Sequence, residues 1–369
     1  MEHYRQVVFD VAQAQGSVDD MARAALVGLP ATERHEGDPA LFDMLGRIDL
    51  ELIVDSRLRG QYLYQFVRAA RFFDQLDLVD ERIGISRHEI ADEEMWVEFR
   101  NEQLQVNHQR QPDVRIINEF DTLAASLGPS HARTHLKFRA LLFSIVHQLE
   151  DALTSRLDQA RAEQFIHPST RMQWALELTE SAMGRVGMLD TAIDAESTLA
   201  TGFRLGVADA FTSFGAQSWH ALWRENRFEE AMALLDGAKG LIEPNVGWRC
   251  AEAFNLAALE RRDEAAAIAA PAADELRSNP TGIWAPAAAA LLIEACRLLD
   301  DSAEWAHVAA KVLGPHSGAA VILGTGVAHL GPADLAIGHA LAIAGDDAAA
   351  GFIKQGEEQA RRTGYVRWD

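Results

Sequence analysis

Ala221-Leu-Trp-Arg-Glu-Asn-Arg-Phe-Glu-Glu-Ala231 is the stretch whose reading decides the fold. An apolar helix end runs into a short polar turn, and a second helix starts with a small residue at Ala231. Ala257-Ala-Leu-Glu-Arg-Arg-Asp-Glu-Ala265 repeats the layout, and its last alanine falls 34 residues after Ala231. That is the period of a tetratricopeptide (TPR) helix hairpin. Alanine suits such a position because two helices crossing at short distance leave no room for a longer side chain. The reading predicts an all-α protein, a right-handed α-solenoid of degenerate TPR-like hairpins.

Outward from this pair, three further marks carry a turn followed by a small residue. They are Gly187 to Ala192, Leu299 to Ala306, and Gly345-Asp-Asp-Ala-Ala-Ala350. The steps between successive small residues are 39, 34, 41 and 44, so the repeats are degenerate. His167-Pro168-Ser169-Thr170 is the clearest break, with a helix expected from about Arg171. It divides the chain into N-terminal hairpins of loose register (1–166) and C-terminal TPR-like repeats (167–369).

In the first part, helices are expected over 3–15, 39–57, 61–75, 78–86, 89–109 and 114–126. Gly16, Pro30 and the polar segment 31–38 serve as stops, Gly60 as a hinge, and Gly128 as a C-cap glycine. One long helix is expected over 130–164, from the spacing of Leu136, Leu141, Leu142, Ile145, Leu149 and Leu153. In the second part the helical pattern lapses over 311–334. Its glycines and prolines predict a turn-rich crossover with short irregular helical turns, a length of loop that usually has packing or ligand duties.

Composition narrows the function classes. The chain has 369 residues, 48% hydrophobic and 24% charged, as in a folded protein. Its formal net charge of −21 opposes the counterion-releasing basic face that nucleic-acid binding needs, so no direct nucleic-acid contact is expected. Cys250 and Cys296 sit in apolar helical patterns, as buried thiols of a reducing compartment do. With no signal-peptide core and no long uncharged apolar run, a cytoplasmic protein without membrane contact is expected.

A second set of features carries a resemblance. The Arg227-Phe-Glu-Glu-Ala231 hairpin is followed by Pro244, Trp248 and the Leu313-Gly-Pro block. After these come Gly324-Thr-Gly-Val-Ala-His-Leu-Gly331-Pro332, Gly345-Asp-Asp-Ala-Ala-Ala350 and Arg361-Arg-Thr-Gly364-Tyr. Over about 185–364 this resembles the C-terminal TPR-like region of large bacterial signalling and transcriptional regulators. In those proteins a signal-transduction ATPase accompanies a LuxR-type DNA-binding or nucleotide-cyclase domain. No Gly-x-x-x-x-Gly-Lys-Ser/Thr phosphate loop, cyclase metal segment or basic recognition helix occurs here. The resemblance therefore implies the sensory or scaffolding arm alone.

Motifs with chemistry are few. His131 and His135 share a helical face, but Ala132 stands where a zinc protease needs its glutamate. Gly324-Thr-Gly326 lacks the third glycine and the βαβ setting of a dinucleotide site. No cofactor and no metal is expected, and an enzyme is not. A rival enzymatic reading would place His316 and His329 of the crossover at an active site.

The tryptophans are the stronger lead. Inner helices of a solenoid line a concave groove in which aromatic and arginine side chains grip a peptide or small ligand. The groove candidates are Trp174, Trp219, Trp223, Trp248 and Trp284, with His220, Arg224 and Arg249 as polar companions. The expected partner is a protein or peptide segment, or a small-molecule effector in an enclosed aromatic pocket; a homodimer is compatible with both.

Overall fold

The computed structural model describes residues 2–27, 39–83, 90, 92–207, 209–239, 245–300, 302–324 and 326–365. Pro30, the segment 31–38 and Pro244 lie outside the described residues. Nineteen α-helices occur in these segments, with one short antiparallel hairpin. The all-α expectation holds at that level.

The chain divides by its contacts into two units, one of residues 1–110 and 118–136, the other of 111–117 and 137–369. The first begins with α1 (Glu2–Gln15), α2 (Val18–Leu26), α3 (Pro39–Gly46) and α4 (Ser56–Phe72), followed by α5 (Leu76–Ile83) and α6 (Glu93–Arg110). Ser17 caps α2 by accepting the Asp20 amide, and Asp55 caps α4 by accepting from Arg57 and Leu58. Helix α4 is the hub: α2, α3, α5 and α6 all pack on it. Tyr62 on α4 donates its hydroxyl to the carbonyls of Leu45 and Ile48, tying the end of α3 to the core.

Gly60 is not a hinge. It lies inside α4, where an added Cβ would stand 3.2 Å from Met95 and 3.3 Å from Ile90. The glycine permits a close approach there, and the real break is the 3-10 turn Leu50–Leu52 upstream. Gly128 does not adopt the left-handed conformation expected of a C-cap glycine.

Helix α7 (Ile116–Ser126) leads to α8 (His131–Val146) and α9 (Glu150–Ile166). The single helix expected over 130–164 is therefore two. Gln148 takes a positive φ of 55°, and the chain turns there although the apolar spacing runs on through the turn.

The second unit continues with α10 (Thr170–Arg185), α11 (Ala195–Leu205), α12 (Ala210–Arg224), α13 (Phe228–Ala238) and α14 (Val246–Ala258). It then runs through α15 (Arg262–Ser278), α16 (Ala285–Cys296), α17 (Ala303–Leu313), α18 (Ala333–Ile343) and α19 (Ala349–Thr363). Ser169 caps α10 by accepting the Met172 amide, so the break read at 167–170 is a helix start. Each of α14 to α18 packs on the next helix, α17 on α18 across the intervening strand pair, and α14 also meets α16, α15 meets α17, and α16 meets α18. Alanines make the short crossings: Ala231, Ala265, Ala269, Ala272 and Ala273 are all buried. At α18–α19 glycine goes further, since a Cβ on Gly356 would fall 2.6 Å from the Leu335 Cα.

One turn recurs. Gly16, Asp74, Gln148, Gly187, Gly206, Asn226, Glu260 and Gly345 all have positive φ at a helix end. At each, the next residue's amide donates to the carbonyl five positions before it, as Arg227 does to Leu222 and Arg261 to Leu256. This is the Schellman arrangement, which satisfies carbonyls that a helix end leaves open. From Gln148 the turns at Gly187, Gly206, Asn226 and Glu260 follow at intervals of 39, 19, 20 and 34 residues.

Five residues after the turn comes a buried side chain: Val79, Leu153, Ala231 and Ala265 at the four non-glycine turns. Two of the marks read from sequence are displaced. Ala192 is exposed, because α11 starts later at its cap Asp194 and buries Ala195 instead. Ala350 is exposed and Ala349 is buried, one residue earlier.

The crossover also departs from expectation. After α17 and a 3-10 turn at Gly314–His316, β1 (Ala320–Leu323) pairs antiparallel with β2 (Ala328–Pro332). Val321 opposes Gly331 and Ile322 opposes His329, with an irregularity between them. Apolar Val321-Ile322-Leu323 suits a strand, and Gly324 and Gly326, at φ of 57° and 88°, let the chain reverse. The hairpin base is fastened by Ala333 donating to Ala319, and by the buried Asp334 carboxylate accepting from the Gly318 amide and from Gln359.

Candidate functional site

The hairpin tip rests on the helices that carry the candidate tryptophans. Val327 shares a buried cluster with Trp174 and Leu178 of α10 and Ala216 of α12, and both Trp248 and Leu323 pack against it. At Gly326 an added Cβ would stand 2.5 Å from Thr179 Oγ1 and 3.5 Å from Leu142. At Gly324 it would come within 3.9 Å of Trp284. Trp174, Trp248 and Trp284 therefore meet a segment of their own chain.

The other candidates separate. Trp219 is buried with Ala231, Leu235 and Cys250 in the helical core. Trp223 stacks obliquely on it, centroids 5.5 Å apart, and meets the edge of Phe254 at 5.3 Å. Both fill the space between helices. Arg249 on α14 pairs with Glu275 on α15, away from the hairpin cluster.

His220 and Arg224 occupy another face of α12, toward the end of α10 and strand β2. There α10 and α12 are joined by Gln217, whose side-chain amide donates to the Leu178 carbonyl at 3.0 Å. One helical turn on, His220 and Arg224 neighbour Arg185, the last residue of α10. His329 of β2 and Tyr365 complete the group. Their rings lie 5.0 Å apart, and the Arg224 guanidinium lies over the Tyr365 ring at 5.4 Å.

Electrostatically this group is unlike the rest of an acidic chain. Burial, reinforced by Arg224, Arg185 and His329, holds His220 well below the usual imidazole range. Burial with Arg224 pushes His329 down to about 3. Both rings are neutral at ordinary pH. Burial also lowers the Arg185 guanidinium, against the opposing fields of Asp194 and Glu225. The Gly331 amide donates to His329 Nδ1 at 3.0 Å, so the neutral ring carries its proton on Nε2.

His316, paired with His329 in the rival enzymatic reading, stands elsewhere. Its neighbour is His147, and burial with that imidazole lowers it to about 4.

No family model matches the chain, and neither does any curated protein or solved structure.

Sequence reasoning missed two sets of residues. Arg185 lies two residues before Gly187 and Tyr365 directly after Gly364, and nothing in their spacing links them to His220. In the first unit, Glu98, Asn101, Glu102 and Gln105 on α6 are all buried. Glu102 accepts from Arg71 at 3.0 Å and faces Arg68 at 3.9 Å. Burial would raise the Glu98 carboxyl, yet His135, hydrogen-bonded to it at 3.0 Å, and Arg68 hold it below its usual range. The signal was present: α6 has no apolar stripe, and a helix polar on every side must find polar company when buried. His135 thus has a carboxylate partner, and the polar groups named here satisfy one another. Among the described residues, no group of three or more His, Cys, Asp or Glu side chains is placed to hold a metal ion. No helix among them is long and apolar enough to cross a membrane.

Proposed function

We propose that this chain is a non-enzymatic binding module, a right-handed α-solenoid of TPR-like hairpins that holds a protein segment or an effector. The recurring helix-end turn and the packing of each helix on near neighbours in sequence support the repeat reading. The observation that carries the binding reading is the seat of the hairpin tip. The hairpin turn, with Leu323, Gly324, Gly326 and Val327, lies against Trp174, Trp248 and Trp284, so this aromatic face takes a turn of apolar and glycine residues. A groove lined by rigid aromatic side chains on inner helices is how helical repeats take peptides. The sequence resemblance over 185–364 supports reading the module as part of, or related to, a bacterial transcriptional or signalling regulator.

Panning a phage-displayed peptide library against the chain and against Gly326→Ala tests this. Enrichment of apolar turn-forming peptides on the variant, lost when Trp248 is changed to alanine, is the expected result. Failure to enrich any peptide, alongside turnover in an activity screen, would overturn it.

A second reading is favoured by the Arg185–His220–Arg224–His329 group. Buried donors facing one another suit a small-molecule effector bound between α10, α12 and β2, which makes the module a sensor.

A further inference from the structure

The buried polar groups between α10, α12 and β2 are unbalanced in one direction. His329 Nε2 bears a proton, because Nδ1 is occupied as the acceptor for the Gly331 amide. The ring is 1% exposed, and Nε2 has no hydrogen-bond partner. His220, also 1% exposed, likewise leaves Nε2 buried without one. Arg185 Nε is a second buried donor in the same state as His329 Nε2. Arg224 adds its guanidinium, stacked on Tyr365. Buried donors of native proteins are almost always matched. Here two unmatched imidazole nitrogens and two guanidinium groups, one with an unmatched Nε, are gathered on facing elements.

The counter-charges facing Arg185 lie at the margin. Asp194 is spent on capping α11, where it accepts the Ser197 amide at 2.8 Å, and Glu225 is exposed in the turn after α12. Both arginines are only half-buried, so the group opens toward solvent on their side. A planar guanidinium presents paired N–H groups that match the two oxygens of a carboxylate or phosphate.

We propose that Arg185, His220, Arg224 and His329 form a binding site for an oxyanion, the carboxylate or phosphate group of a small effector. The arginines supply charge and bidentate geometry at the open side. His329 Nε2, made a donor by the Gly331 hydrogen bond to Nδ1, completes the site from the buried side, with the His220 ring beside it. Because β2 contributes His329, a bound anion would also hold the hairpin against α12. The proposal deepens the sensor reading and rests on it.

The test is a titration of the imidazole nitrogens by 15N NMR at pH 7.5 and constant ionic strength. Three probes are used: sodium acetate, inorganic phosphate, and acetamide as the neutral isostere of acetate. Saturable shifts of the His220 and His329 Nε2 signals with acetate or phosphate, beyond those with chloride, are expected. Whichever anion binds more tightly identifies the carboxylate or phosphate source. Arg185→Gln should weaken binding at least tenfold and Arg185→Lys less, while exposed Arg227→Gln leaves it unchanged. Shifts with acetamide but not with either anion would overturn the oxyanion assignment and leave the sensor reading standing. Silence toward all three probes would remove both. Equal anion affinity in wild type and Arg185→Gln would place the anion elsewhere and overturn the site.

Discussion

The Gly331 amide and the His329 ring, two residues apart on one strand, are joined by a 3.0 Å hydrogen bond in which His329 Nδ1 accepts. The bond commits the ring to its neutral form, in agreement with its pKa of about 3. Such a ring binds no proton in the folded chain between about pH 3 and its ordinary value near 6.5, whereas the unfolded chain does.

Acid should therefore loosen the protein in a defined window. Where the unfolded state holds more protons, stability rises with pH, so it falls as pH drops from about 6.5 toward 3. Each such imidazole contributes a slope of about 1.4 kcal/mol per pH unit in that window. His220 and His316 are shifted in the same direction and add to the slope. His329→Asn keeps an acceptor for the Gly331 amide and removes one titrating ring. Urea midpoints measured from pH 7 to 4 should fall less steeply in the variant, and parallel curves would contradict the assignment.

Glutamate at a left-handed turn is a standing strain. Glu260 has a φ of 61°, where a side chain costs about 1–2 kcal/mol that glycine does not. Glycine's greater freedom in the unfolded chain offsets about 0.5–1 kcal/mol of the gain. Glu260→Gly should stabilise by about 0.5–1 kcal/mol. Asn226→Gly, at a φ of 54°, should gain less, because asparagine tolerates this region. Thermal melts that fail to rise for Glu260→Gly would show that the turn is relaxed.

Glu102 answers two arginines inside the first unit, Arg71 at 3.0 Å and Arg68 at 3.9 Å, and is itself 1% exposed. Glu102→Gln removes the counter-charge and keeps the shape. A loss of about 3–5 kcal/mol is expected, since breaking a buried pair strands the remaining charge. Chemical denaturation measures it, and a loss under about 1 kcal/mol would mean solvent already screens the site.

How far sequence reached depended on what each position advertised. Ala231 and Ala265 were legible because both the turn and the small residue were present. The same turn at Asp74 and Gln148 was not, because Val79 and Leu153 stand at the contact and no glycine marks the left-handed residue. Apolar spacing from Leu136 to Leu153 runs through the Gln148 turn, so periodicity joined two helices that the backbone separates. Gly60 looked like a hinge, since a glycine needed for close packing on Met95 reads the same as one needed for bending. The tryptophans led to the hairpin seat at Trp174, Trp248 and Trp284. Trp219 and Trp223 answered the same pattern but fill the core. Arg185 and Tyr365 could not be joined to His220 from sequence, because only folding brings β2 and residue 365 to the ends of α10 and α12.

Gly326 is the weak point of the hairpin tip. At a φ of 88°, with Thr179 Oγ1 2.5 Å from where a Cβ would stand, Gly326→Ala cannot keep its seat. Amides of 320–331 should lose hydrogen-exchange protection in the variant while those of α14–α16 keep theirs. Equal protection in both proteins would show that the tip is not held by this contact.

The most direct measurement supplies the hairpin in trans. A synthetic peptide of residues 319–333 is titrated into wild type and into Gly326→Ala, followed by tryptophan fluorescence. Saturable binding to the variant, absent in wild type and abolished by adding Trp248→Ala, is the predicted result. Binding that ignores Trp248, or none to the variant after hydrogen exchange has shown its own hairpin released, would contradict the claim that this face is a seat for the hairpin turn.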